Sequence, residues 1–264
     1  MKSFYIQREG YQLFASRILS SANTENRPSL LFLHDSWGCI ELWGDFPEKV
    51  LELSGLNGLL YDRRGYGQSS RFAIKQRTEF YLHDEAIELM EVLDSCGIQQ
   101  AVIYGHSDGA TIALLAAALY PERIRGMILE GAHSFIEDSG KAAVLDTRER
   151  AKSNGLLASL EKYHGDKTQE LFRLWHETWL SDYFAQWTIV SLLHNITCPV
   201  LAIQGENDEF GSVEQLNVLK NEIKQPVTLA EIPLAGHTPR KEAEKETLEL
   251  IDEFFKSNRE SFNL

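Results

Sequence analysis

Short, mostly apolar runs alternate with longer amphipathic stretches along most of this chain. The runs cover residues 29–33, 58–61, 101–104, 125–129, 199–203 and 227–232. Each is four to six residues long, too short for a buried helix and right for a strand, and those at 29–33, 58–61 and 101–104 read as strands buried on both faces, as in parallel sheets. Between them the spacing turns helical. A helix is expected from Asp45, with Pro47 in its first turn and Gly55 just past its end. A second is expected over 78–96, with Tyr81, Ile87, Met90 and Leu93 on one face, and a small-residue helix over 110–119 is stopped by Pro121. Helices follow at 213–222 and about 241–255, and 4–7 with 12–17 reads as an opening hairpin turned at Glu9-Gly10. Strands that alternate with helices imply a mostly parallel sheet with right-handed crossovers, an α/β fold. A length of 264 residues still closes as one such unit.

The alternation fails once. From His133 to about Asn195 the strand signals vanish, and the chain is helical, charged and rich in tryptophan. Residues 1–132 and 196–264 are therefore read as the core domain. Residues 133–195 are read as a helical cap over the sheet's carboxyl edge.

Charge and cysteine usage exclude several roles. There are 39 acidic against 26 basic residues, a net charge of −13. Such a surface repels phosphate backbones and anionic lipid, so neither nucleic acid nor membrane is an expected partner. Cys39, Cys96 and Cys198 are odd in number and far apart, which supports neither a disulfide framework nor a zinc knuckle. The first residues carry no apolar signal segment, and a cytoplasmic location is expected. No P-loop, HExxH or dinucleotide fingerprint occurs, since residues 65–70 lack the third glycine. No cofactor and no catalytic metal are expected. The expected partner is a small-molecule substrate, bound by a monomer or homodimer.

Gly105-His106-Ser107-Asp108-Gly109 carries the chemistry. It is G-x-S-x-G set between a buried strand and a helix. There the turn is so tight that the central serine stands strained and exposed at the sheet's edge. Ser107 is the candidate nucleophile. Its base should lie in a loop after a later strand, and His237, in Ala235-Gly-His-Thr-Pro239, occupies the loop after the last one. The orienting acid should fall between them in chain order, which selects Asp208 after the strand at 199–203. Glu130, ending an earlier strand, is the rival, while Glu206 and Glu209 read as solvated. His83, His164, His176 and His194 read as solvated or packing residues. The His106 side chain is expected to point away from substrate. The backbone N–H of Asp108 and that of Ser36, in the loop His34-Asp-Ser-Trp-Gly38, are the candidate oxyanion donors. In the cap, Phe172, Trp175 and Trp179 fall on one helical face. Trp37, Trp175 and Trp179 are candidate pocket residues, although cap packing would use the same aromatics. Arg173, His176 and Arg240 are read as solvated.

Five segments in order resemble the α/β-hydrolase-fold serine hydrolases, and the resemblance covers nearly the whole chain. They are the H-G-x-x-G-like loop (34–38), the D-x-R-G-x-G-x-S turn (62–69), the elbow around Ser107, the acid loop and the G-H-x-P loop. The chain is more similar to the lidded esterase, lactonase and C–C-hydrolase group than to lipases. The resemblance implies a triad of Ser107, Asp208 and His237, and oxyanion donors at Ser36 and Asp108. Dehalogenases and epoxide hydrolases of this fold carry aspartate at the nucleophile position, where this chain has serine. One departure is Asp35, where the family usually has glycine, and it bears on the oxyanion loop. The expected activity is hydrolysis of a small ester, thioester or lactone through an acyl-enzyme. A C–C bond hydrolase or an amidase would use the same triad. A ligand-binding protein on this fold would need none of it.

Overall fold

A computed structural model describes residues 1–20 and 27–264. The chain opens with the hairpin β1 (Lys2–Arg8) and β2 (Tyr11–Ile18), then runs β3 (Ser29–Leu33), α1 (Phe46–Ser54), β4 (Gly58–Tyr61) and α2 (Tyr81–Ser95). It continues through β5 (Ala101–His106), α3 (Asp108–Leu119) and β6 (Ile124–Glu130). Three helices follow without a strand: α4 (Asp138–Arg150), α5 (Leu156–His164) and α6 (Thr168–Trp179). The alternation returns with β7 (Val200–Gly205), α7 (Val213–Glu222) and β8 (Val227–Ile232). The chain closes on α8 (Pro239–Glu242), α9 (Glu244–Ser257) and α10 (Arg259–Phe262).

The eight strands form one sheet in the order β1-β2-β4-β3-β5-β6-β7-β8. The β1/β2 and β2/β4 pairs are antiparallel, and every later pair is parallel. The apolar runs of the inner strands are explained by two-sided burial, while β8, at the sheet's edge, is only partly covered. Leu31, Leu33, Ile103, Met127 and Leu129 enter the core beneath α2 and α3, while their neighbours Leu30, Phe32, Val102, Tyr104 and Ile128 enter a second core with α1 and α9. Strand residues alternate faces, so a half-polar strand would have put polar atoms into one of these layers. Helix α3 is buried all round, from Asp108 to Ala118. Its alanines let it lie against the sheet, and its periodicity is correspondingly faint in the sequence. Helix α2 begins at Tyr81, later than expected, and Ile87 is exposed because the buried stripe runs through Leu82, Ala86, Leu89 and Leu93.

The helical stretch between β6 and β7 is tied to the rest at its base and in its middle. At its base Phe135 bridges Thr188 within the stretch, and Gln215 of α7 accepts from the Ser134 N–H (2.8 Å) and donates to the Phe135 carbonyl (3.2 Å). Near its centre the Lys167 ammonium, buried between α5 and α6, donates to the carbonyl oxygens of Tyr66 (3.1 Å), Gly67 (2.5 Å) and Ser69 (2.6 Å). Beside it His164 accepts from the Gly67 N–H at Nδ1 (2.9 Å) and donates from Nε2 to the Trp37 carbonyl (2.7 Å). Those carbonyls are exposed to Lys167 because Asp62 folds the turn below. Its carboxylate accepts from the Ile40 and Gln68 amides, and its carbonyl accepts from Ser69 Oγ.

Candidate active site

The turn between β5 and α3 leaves no room for side chains at its flanks. A Cβ on Gly105 would sit 2.5 Å from the Gly109 carbonyl oxygen, and one on Gly109 would sit 2.1 Å from that of Leu33. The cost of so sharp a turn falls on Ser107, which is held at φ 54°, ψ −119°. A non-glycine residue there is strained by roughly 1–3 kcal/mol, and surrounding structure must hold it. The fixing contacts are the Ser107 N–H, which donates to the Glu130 carbonyl (2.8 Å), and the start of α3 behind it.

Ser107 Oγ lies 2.9 Å from His237 Nε2, and His237 Nδ1 lies 2.9 and 2.8 Å from the two carboxylate oxygens of Asp208. Strands β5, β7 and β8 deliver these three side chains from loops at their carboxyl ends. Asp208 is fully covered and is held by further donors. Gln204 Nε2 reaches one oxygen (2.5 Å), and the Phe210 N–H reaches the other (2.9 Å). Burial works to raise the Asp208 carboxyl, but the charge and hydrogen bond of His237 outweigh it and hold the group below its ordinary value. Burial likewise opposes charge on His237, yet Asp208 outweighs it and raises the imidazole above its ordinary value.

Glu130 has a different set of partners. Its oxygens accept from the Arg240 N–H (2.6 Å), Arg240 Nη1 (2.6 Å) and the Tyr104 hydroxyl (3.1 Å). Arg240, read as solvated from the sequence, is 4% exposed, because it pairs with Glu130 and lies over the Trp43 ring at 4.5 Å. Glu206 and Glu209 are exposed, as expected.

A cavity of about 310 Å³ opens on Ser107 and His237. That is small for a ligand site but within the usual range. Ser36 lines it, and the Asp108 N–H sits at the first residue of α3, where no helical carbonyl precedes it. The Asp108 carboxylate is buried, 3.4 Å from the Tyr81 hydroxyl and 3.9 Å from Arg63. Trp37, Trp175 and Trp179 line the cavity as well. Trp37 packs edge-on against Trp175 (4.5 Å between ring centres), and Trp179 donates from Nε1 to Tyr81 (3.2 Å). Phe172 supports Trp175 from behind the lining. Packing and lining therefore coexist in the same aromatics.

Among the lining residues that the sequence reading did not single out are His133 and Phe210. His133 lies in the loop after β6, with Nε2 donating to the Phe210 carbonyl (3.1 Å) and its ring 5.2 Å from that of Trp179. Burial, then the nearby His237, lowers its imidazole. Phe210 itself stands edge-on to His237 at 4.9 Å. Both lie within a few residues of a strand's carboxyl end, and that position was the available signal. His106 also departs from expectation. It lines the cavity, because Asp35 on one side and the His237 carbonyl on the other hold its ring there. Among the described residues, no three His, Cys, Asp or Glu side chains converge to hold a metal ion. No helix among them is long and apolar enough to cross a membrane.

Comparison with known proteins follows the same lines. Residues 28–175, over half the chain, match the family model described as alpha/beta hydrolase fold. The human serine hydrolase BPHL is 30% identical over 172 residues, which are 60% of this chain and 57% of that protein. Epoxide hydrolase B of Mycobacterium tuberculosis is 29% identical over 113 residues, 42% of this chain and 30% of that one. The matches thus span little more than half the length of the first relative and less of the second. Among solved structures, MGS-M2, an alpha/beta hydrolase enzyme from a deep-sea metagenome library of the Medee basin, superposes with a TM-score of 0.74 at 24% identity, over 97% of each chain. The sheet order, the turn at Ser107 and the family match agree, and this chain belongs to the α/β hydrolase fold family.

Proposed function

We propose that this protein is a serine hydrolase that cleaves a small-molecule carboxylic ester, thioester or lactone through an acyl-enzyme on Ser107. The observation that carries the proposal is the unbroken line from Ser107 Oγ to His237 Nε2 and from His237 Nδ1 to Asp208, with every link at 2.8–2.9 Å. In this reading Ser107 Oγ attacks the substrate carbonyl while His237 Nε2 takes its proton. The negative oxygen is met by the N–H groups of Asp108 and Ser36. His237 passes the proton to the leaving group as the carbonyl re-forms. Water, deprotonated by His237, then attacks the acyl-enzyme, and Ser107 regains its proton. Asp208 holds Nδ1 protonated throughout, so that Nε2 faces the serine as a base. Residues 133–195 act as the cap and residues 1–132 with 196–264 as the core. Trp37, Trp175 and Trp179 form the apolar wall that selects the acyl or alcohol group. The serine hydrolase name of the human relative supports the reaction class. Serine at residue 107 argues against an epoxide hydrolase that works through aspartate.

The test is labelling by a fluorophosphonate, paired with turnover of p-nitrophenyl esters from C2 to C10. Wild type labels at one site and turns over short to medium esters, while Ser107→Ala does neither and stays folded. Labelling and turnover preserved in Ser107→Ala would overturn the assignment.

A further inference from the structure

Asp35 stands two residues past the end of β3, and its side chain touches three of the segments around Ser107. One carboxylate oxygen accepts from the Trp37 N–H (2.8 Å) within its own loop. The other lies 3.1 Å from His106 Nδ1, in the turn before Ser107, and 3.8 Å from Arg240 Nη2, three residues after His237. The contact with His106 reaches further than the side chain itself. A carbonyl and a carboxylate can only accept, so His106 bridges them by donating from both ring nitrogens, as an imidazolium, with Nε2 2.9 Å from the His237 carbonyl oxygen. The carboxylate therefore grips the main chain of His237 through one imidazolium and the following helical turn through one guanidinium. Its own carbonyl is in turn held by Arg63 Nη2 (2.9 Å). The side chain is 22% exposed, so these contacts are made in a largely dry setting. Burial works to raise the Asp35 carboxyl, but His106, then Arg240 and the Trp37 amide, keep it well below its ordinary value and hence ionised.

We propose that Asp35 is a positioning residue for the hydrolytic reaction: through His106 and Arg240 it fixes the loop that carries Ser36 against the loop that carries His237. The proposal rests on the serine hydrolase reading above. It assigns a task to a side chain where glycine could make none of these contacts. The general base and the Ser36 donor come from opposite sides of the nucleophile, and a rate depends on both being in register with Ser107 Oγ. A displacement on the order of 1 Å in such a site costs about a hundredfold in rate.

The carboxylate has a second, separable effect. The charged or titratable groups facing His237 are Asp208 and Glu209 from the loop after β7, Asp35 from the loop after β3, and His106 and His133 from the loops after β5 and β6. Asp208 dominates, and Asp35 adds to it by favouring the imidazolium. Loss of the Asp35 charge therefore lets His237 deprotonate at lower pH.

The experiment compares Asp35→Asn, His106→Gln and the double variant with wild type, with circular dichroism to verify folding. Asparagine keeps the acceptor for the Trp37 amide and the shape of the side chain. The expected results for Asp35→Asn are a kcat reduced about tenfold to a hundredfold and a KM changed less than threefold. The acidic limb of its kcat/KM profile moves to lower pH. The double variant loses little beyond the worse single. A kcat within twofold of wild type and an unmoved acidic limb in folded Asp35→Asn would overturn the proposal, and so would fully multiplicative losses in the double variant. Full activity in Ser107→Ala would instead remove the reading on which it rests, so the two failures are distinguishable.

Discussion

Two buried carboxylates sit near the carboxyl edge of the sheet, and opposite consequences are expected from neutralising each. Asp208→Asn removes the acceptor for His237 Nδ1. One Asp208 oxygen already accepts from Gln204 and the other from the Phe210 N–H, so an asparagine NH2 must face one of these donors whichever way it turns. Where the NH2 faces His237, the imidazole carries its proton on Nε2 and can no longer accept from Ser107. A wrong tautomer in such a triad costs about 10⁴ in kcat, or about 5 kcal/mol of transition-state stabilisation. Glu130→Gln touches no reacting group. It leaves the buried Arg240 guanidinium with only the more distant Asp35, at 3.8 Å, as counter-charge, in a setting where Glu130 is 0% and Arg240 4% exposed. Breaking a buried pair in this way costs about 3–5 kcal/mol of stability, a fall of roughly 6–20 °C in Tm for a chain of this size. The assay is kcat on a p-nitrophenyl ester below the transition, with Tm measured in parallel. Asp208→Asn should lose rate with the smaller fall in Tm, while Glu130→Gln should show the larger fall in Tm and keep kcat within about fivefold. A folded Glu130→Gln as slow as Asp208→Asn would show that the acid acts from β6 and would refute the assignment.

Four further outcomes are expected. The acidic limb of kcat/KM should fall above the ordinary histidine value, since His237 must be neutral to act and Asp208 raises it; a limb below pH 6 would contradict this. Asp35, Glu130 and Asp208 are all held below their ordinary values, so they contribute stability that is complete above about pH 5 and lost as pH falls. His237 acts in the opposite sense, its contribution lost as pH rises through its raised value, and urea titrations from pH 3 to 8 should show stability dropping steeply on the acid side. Trp175→Ala should shift the chain-length optimum to longer esters by opening the wall beside Trp37, whereas an unchanged profile with normal stability would mean that Trp175 selects nothing. Cys39 and Cys198 are buried, and burial pushes their thiols up to about 12, so at pH 8 only the half-buried Cys96 should react readily with a thiol reagent. Three fast thiols would contradict the fold around Cys39 and Cys198.

Much of the fold was legible because local sequence and tertiary burial agree. The runs at β3, β4 and β8 and the helix α7 lie where the pattern puts them, and Pro47 and Gly55 bracket α1. The turn at Ser107 was legible because its glycines answer a backbone approach that only glycine permits. Arg240 and His106 were misread for one reason. A charged or polar side chain is solvated unless its partner is known, and here the partners lie 110 residues away in Glu130, and 71 and 131 away in Asp35 and His237. Nothing in the spacing of such residues announces the pairing. Ile87 was misplaced because α2 meets the sheet along a stripe offset from the one its sparse apolar residues trace.

The clasp at Lys167 implies an order of assembly. Its three carbonyl partners lie 98 to 101 residues earlier in the chain, and the partner of His164 at Trp37 lies 127 earlier. None of these acceptors is presented until the turn held by Asp62 has formed, and that turn needs β3 and β4 side by side. Helices α4 to α6 therefore have nothing to dock on while the sheet is unmade, and loop closure over so many residues must precede any gain from the clasp. Docking comes last in folding. It is also expected to loosen ahead of the sheet, because the inner strands β5 and β6 are covered almost throughout while α4 keeps only Gly140 and Val144 buried. Under native conditions the amides of α4 to α6 should exchange with solvent ahead of those in β5 and β6, and Lys167→Met should hasten the first set while leaving the second unchanged.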